Sequence, residues 1–159
     1  AVSSTGTAYW ASGGGHLSDA ITAMQGAGVT HCVIDLGTND NSYSTFTSNM
    51  PGIVADIVAA GIVVILDSPS WTTQGDAQLQ VFHQIEGYLA ALVNGTTVMQ
   101  GARLLDYIAA NQSLLSDGVH YTTAGKAAVA EIKAAAYDRA LNPSYPRAID
   151  RRGGTVMKM

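Results

Sequence analysis

Two apolar, β-branched runs, VTHCVIDL at 29–36 and IVVILD at 62–67, flank a segment with helical periodicity. This alternation constrains the fold more than any other feature. Short Val/Ile-rich runs read as strands buried on both faces, and such strands belong to parallel sheets covered by helices. Between them, TSNMPGIVADIVAAG (47–61) places Ile53, Ile57 and Ala60 on one stripe, with Gly61 just past its end. GTAYW (6–10) is β-prone and is predicted as a short strand. HLSDAITAM (16–24) puts Leu17, Ile21 and Met24 on one helical face.

The pattern continues after the second run. A long amphipathic helix is predicted over 76–95 and a short strand over 96–101. A weaker helical piece follows over 102–111, then an Ala-rich helix over 122–141. The expectation is one α/β domain over residues 1–141, a three-layer sandwich of parallel sheet flanked by helices. The segment 142–159 is broken at Pro143 and Pro146 and reads as an extended tail. Sites in such sheets lie beyond the carboxyl ends of the strands. The GGG loop at 13–15, the GTND turn at 37–40 and the DSPSW loop at 67–71 fall at such ends. SDGVH, just before the last helix, can reach the same rim.

Composition narrows the function classes. With 47% hydrophobic and 13% charged residues, the chain is predicted to be soluble and compact. A net charge of −4 leaves no basic stripe for nucleic acid, and Arg147, Arg151 and Arg152 read as a solvated end. No apolar run approaches the roughly 20 residues of a membrane span. The one cysteine, Cys32, excludes an intrachain disulfide, leaves the compartment open and reads as a small buried hydrophobe. Histidines 16, 31, 83 and 120 have no metal-ligand spacing, so no metal is expected. The SGGG stretch lacks the glycine spacing of a dinucleotide site and the lysine of a P-loop.

Two short motifs carry chemistry. Asp117 and His120 stand three apart in a Gly-containing turn. That spacing lets a carboxylate hold one imidazole nitrogen and leave the other free as a general base. The same residues also suit a capping turn with a merely polar histidine. Asn39, at a strand end, can aim its amide N–H at a developing oxyanion, or can simply favour a turn. Gly13, Gly14 and Gly15 permit close backbone approach, or make a flexible loop.

In chain order, the glycine loop, GTND after an apolar strand, and SDGVHYTTAGKAAVAEI before the last helix resemble the SGNH hydrolases, also called the GDSL family. The resemblance covers roughly residues 6 to 141. It matches the family's Gly-x-Asn-Asp block and its Asp-x-x-His block closely, and its glycine block loosely. It implies a flavodoxin-like fold and an acyl-enzyme mechanism without metal or cofactor. His120 would be the general base and Asp117 its orienting partner. Asn39 and the Gly14 N–H, with Gly13 and Gly15 as rivals, would stabilise the oxyanion, and Asp40 would structure the turn.

The family's nucleophile, a serine in a Gly-Asp-Ser block on its first strand, has no counterpart here. Ser68 in LDSPS follows an aspartate at a strand end, but it stands where the family has its fourth strand and reads as a loop residue. The family's first strand lies between the second and third. Its absence would leave GTAYW and VTHCVIDL without their shared neighbour. The expectation is therefore a missing segment, upstream or from a partner chain, that completes the sheet. The lack of an initiator Met before Ala1 agrees with that.

The implied substrates are acylated small molecules or glycans. Trp71, Tyr121 and Tyr9 are candidates to stack on a sugar, which favours deacetylation of O-acetylated carbohydrate. The competing expectation is a non-catalytic glycan-binding or structural module, as in a phage tail fibre or spike, that keeps the fold without the nucleophile.

Overall fold

The computed structural model describes residues 5–40, 42–73 and 75–142. The predicted tail therefore lies outside the described residues. The core of the molecule is a parallel three-stranded sheet, ordered β1 (His31–Ile34), β2 (Val63–Leu66), β3 (Val98–Gln100). Cys32 pairs with Val64 and Val64 with Val98; Ile34 pairs with Leu66 and Leu66 with Gln100. The helices are α1 (Gly15–Gly26), α2 (Tyr43–Ala59), α3 (Asp76–Leu92), α4 (Leu105–Ala110) and α5 (Thr123–Leu141). Strand–helix alternation thus produces the α/β sandwich expected from the sequence, with the layering of flavodoxin-like folds.

Successive strand residues face opposite layers. Ile34, Val64, Leu66 and Val98 join Leu17 of α1, Phe46, Met50, Ile53 and Ile57 of α2, and Ile85 and Leu89 of α3 in the larger core. On the other side, Ile108 of α4 and Val129 and Ala136 of α5 pack with Ala102, Leu104 and Leu115.

Three elements depart from expectation. GTAYW is not a strand: Thr7–Trp10 form a 3-10 helix. Its β-propensity is overridden because the buried Asp40 carboxylate grips Thr7 and Trp10 packs on the larger core. Strand β1 is not buried on both faces. It stands at the sheet edge among the described residues; Ile34 is buried, but His31 is exposed and Val33 is 40% exposed.

Helix α2 begins earlier than its periodicity suggested. Ser42 caps it, accepting the Thr45 N–H at 3.4 Å. Thr47, Ser48 and Asn49 spend their side chains on carbonyls of the preceding turn. Pro51 then sits inside the helix, a position that costs about 3 kcal/mol. Full burial of Phe46 and Met50, which continue the Ile53–Ile57 stripe, offsets it.

Candidate functional site

The GTND turn begins beyond the end of β1, with Gly37 at φ 114°, a conformation that suits glycine. Beyond it, Asp40 is buried and accepts the Thr7 N–H at 3.0 Å and the Thr7 hydroxyl at 2.6 Å. This clamp draws the preceding residue, Gly6, onto the turn. A Cβ at Gly6 would lie 3.0 Å from Asp40 Oδ1 and 3.3 Å from Asn39 O, so only glycine fits without displacement. Asn39 itself is exposed. Gly6 and Asn39 therefore sit side by side at the carboxyl rim of the sheet.

Gly14 lies elsewhere in the hydrogen-bond scheme. Its N–H donates to Ala11 O at 3.0 Å as the chain turns into α1, for which Gly14 is the N-terminal cap. Its neighbour Ser12 donates to Asp56 of α2 at 2.7 Å. Gly13, Gly14 and Gly15 line a cavity with Ser18 and Ile21 of α1 and Asp56 of α2. Gly6 was not singled out from the sequence. Its contact with Asn39 spans 33 positions, and no local pattern marks it.

Asp117 and His120 form a compact unit before α5. Asp117 Oδ1 accepts the His120 N–H at 2.7 Å and the Val119 N–H at 3.0 Å, while Oδ2 lies 2.7 Å from His120 Nδ1. The His120 backbone N–H, then its imidazole, then the Val119 N–H hold the Asp117 carboxyl well below the usual carboxylate range. An ionised Asp117 can only accept, so Nδ1 is the nitrogen that donates in this contact. The imidazole is 79% exposed, open to a reacting group.

The surrounding loops hold this unit on the rim. Gly118, at φ 82°, accepts the Thr73 N–H at 2.9 Å, and a side chain there would run into Thr73. Thr122 caps α5 by accepting the Gly125 N–H at 3.0 Å and donates to Leu114 O at 3.1 Å. Gly125 is buried where a Cβ would strike Leu114. That close approach is the physical content of the TTAG sequence.

A charged cluster ties α5 to the ends of two strands. Lys133 lies 2.5 Å from Asp35 and 3.1 Å from Asp67, which also accepts the Tyr137 hydroxyl at 2.6 Å and the Ala102 N–H at 2.7 Å. Burial opposes the Lys133 charge, but the two carboxylates outweigh it and its pKa is raised. Ser68, the serine considered at a strand end, is buried. It accepts the Leu104 N–H at 2.9 Å and donates to Pro69 O, which makes it a structural residue.

Of the aromatic candidates, Trp71 lines a cavity of about 210 Å³ with Thr72, Asp76, Leu79 and Gln112. Thr73 joins that cavity to the Asp117–His120 turn. The Thr72 hydroxyl is buried and finds no partner among the described residues. Tyr121 donates to Ser70 at 2.6 Å and packs on the smaller core. Tyr9 stacks on His16, with ring centroids 3.9 Å apart. No cluster among the described residues could hold a metal ion, and no described helix is long and apolar enough to cross a membrane.

A scan against family models, a search of curated proteins and a search of solved structures each found no match.

Proposed function

We propose that the chain carries the base and oxyanion parts of a serine ester hydrolase of SGNH type, acting on O-acetylated carbohydrate. The observation that carries this reading is the Asp117–His120 pair. Its 2.7 Å contact and ionised carboxyl hold the exposed imidazole in a fixed orientation. The serine comes from polypeptide outside these residues.

In this reading the serine Oγ attacks the acetyl carbonyl while His120 Nε2 takes its proton. The oxyanion meets the Asn39 amide and the N–H of Gly6, which replaces Gly14 in that role because the Gly14 N–H is spent on Ala11. The sugar hydroxyl leaves with the proton from His120. Water, deprotonated by His120, then releases acetate. Asp117 keeps the correct tautomer and balances the imidazolium that forms. Asp40 positions Gly6 and Asn39 through Thr7.

The cavity beside Trp71 supports a sugar substrate. An aromatic face with Thr72, Asp76 and Gln112 offers both stacking and hydrogen bonds. The same cavity supports the second reading, a glycan-binding module without turnover.

The test is ester hydrolysis by the polypeptide that includes the segment upstream of Ala1, assayed on p-nitrophenyl acetate and acetylated xylan. His120→Ala should lower kcat by roughly 10³-fold or more. An unchanged rate in that variant overturns the hydrolase reading. Glycan binding with no turnover by the intact polypeptide favours the module.

A further inference from the structure

The walls of the cavity beside Trp71 are hydrogen-bonded to both halves of the proposed site. On one side stands Thr73, whose N–H donates to Gly118 O at 2.9 Å, inside the Asp117–His120 turn. On the other, Gly75, Asp76 and Leu79 bring in the first turn of α3. Gln78 of that turn donates through Nε2 to Asp40 O at 3.4 Å, in the GTND turn. The cavity is thus tied to the loops that carry His120 and Asn39.

Its polar groups are unspent. Thr72 lines the cavity and is 4% exposed, yet its hydroxyl has no hydrogen-bond partner among the described residues. An orphaned buried hydroxyl is costly, and a ligand oxygen would satisfy it. Helix α3 adds donors. Gly75, at φ 103°, stands at its N-cap and offers no capping side chain, and the first helical bond is Leu79 N–H to Gly75 O. The N–H groups of Asp76, Ala77 and Gln78 precede that bond and have no acceptor within the helix. Asp76 supplies the carboxylate of the described lining, and Gln112 an amide.

These groups select among ligands. A phosphate or a uronate suits a helix N-terminus but meets the Asp76 carboxylate. An ammonium suits Asp76 and the Trp71 ring, but it brings only donors to a wall that already has donors to spare. A polyol both donates and accepts, and a sugar ring adds an apolar face for the indole. The other aromatic candidates are already engaged, Tyr9 with His16 and Tyr121 with Ser70. We propose that this cavity is the subsite for an uncharged sugar ring. Trp71 is its platform, Thr72 and the α3 N–H groups donate to its oxygens, and Asp76 accepts from its hydroxyls. Calling it the substrate's subsite rests on the hydrolase reading; the assignment to a neutral sugar rests on the cavity alone.

NMR titration of the 159-residue chain tests it, with xylotriose, cellotriose and mannotriose as neutral probes and trigalacturonate as the acidic one. At least one neutral sugar should shift the Trp71 indole and the Thr72, Thr73 and Asp76 amides. Trigalacturonate should bind at least about 10-fold more weakly than that sugar. Trp71→Ala should weaken the neutral sugar at least about 10-fold. Thr72→Val should weaken it about 5-fold without lowering the melting temperature, because the hydroxyl it removes has no partner in the free protein. A lowered melting temperature with sugar affinity unchanged gives Thr72 a structural role and overturns the proposal. So does silence toward all three neutral sugars, or shifts confined to other parts of the chain. Tighter binding of trigalacturonate, or of tetramethylammonium, would make the cavity a site for anions or cations instead. Ester turnover by the longer polypeptide without these shifts removes the subsite and leaves the hydrolase reading. Sugar binding in the cavity without turnover leaves the subsite and removes the hydrolase reading.

Discussion

Asp40 takes both the backbone N–H and the hydroxyl of Thr7, at 3.0 and 2.6 Å, across 33 residues of sequence. This one carboxylate sets the backbone of Gly6 against Asn39. Asp40→Ala leaves two buried donors without an acceptor and is expected to cost about 3 kcal/mol. Thr7→Val keeps the backbone bond and should cost about 1 kcal/mol. Urea unfolding of the two variants beside the unaltered chain measures the costs; midpoints equal to that of the unaltered chain would mean that the clamp contributes nothing.

Gly6 and Gly14 are separable by mutation. Gly6→Ala crowds Asp40 and the Asn39 carbonyl, and under the proposed hydrolase reading should lower ester turnover about 10-fold or more. Gly14→Ala meets the Ala11 carbonyl at 2.9 Å, so its cost falls on the entry to α1 and on stability. Steady-state kinetics beside thermal melts should divide the two. A loss of kcat confined to Gly14→Ala would return the oxyanion role to that residue.

Acid should leave the Asp117–His120 contact intact well below the range in which ordinary carboxylates protonate. The folded-state pKa of Asp117 is depressed, because the His120 N–H, the imidazole and the Val119 N–H all favour the anion. Its stabilising contribution is therefore full above the unfolded-state value of about 3.9 and is lost only as pH falls through the lower folded value. Carbon NMR of the Asp117 side chain should show no titration step near pH 4. A step there would mean that the three hydrogen bonds are not formed in solution.

Lys133 bridges Asp35 and the fully buried side chain of Asp67. Lys133→Met strands a carboxylate in the interior and should cost about 3 kcal/mol. Adding Asp67→Asn removes the stranded charge and should recover part of the loss, which a double-mutant cycle reports as coupling. Strict additivity of the two changes would deny the ion pair any part in holding α5 to the rim.

Much of this was readable from local pattern. IVVILD became the central strand because continuous β-branched residues bury on both faces. Asp117 and His120 were readable because a three-residue spacing inside one turn needs no distant partner to bring them together. The TTAG start of α5 was likewise local, a threonine cap followed by a glycine. The early start of α2 was not readable, because serine and threonine around Phe46 mask a stripe whose value depends on what it packs against. Nor was the 3-10 helix at Thr7–Trp10, where a buried carboxylate overrides β-propensity.

By itself, then, the sequence determined an alternating α/β chain with a parallel sheet and one oriented histidine, because periodicity and short-range spacing act within a few residues. Only the tertiary structure decided that Gly6 lies beside Asn39, and that VTHCVIDL stands at the sheet edge among the described residues. Both depend on which residues distant in the chain come into contact. A strand's own pattern records how much of it is meant to be covered, but not which segment does the covering.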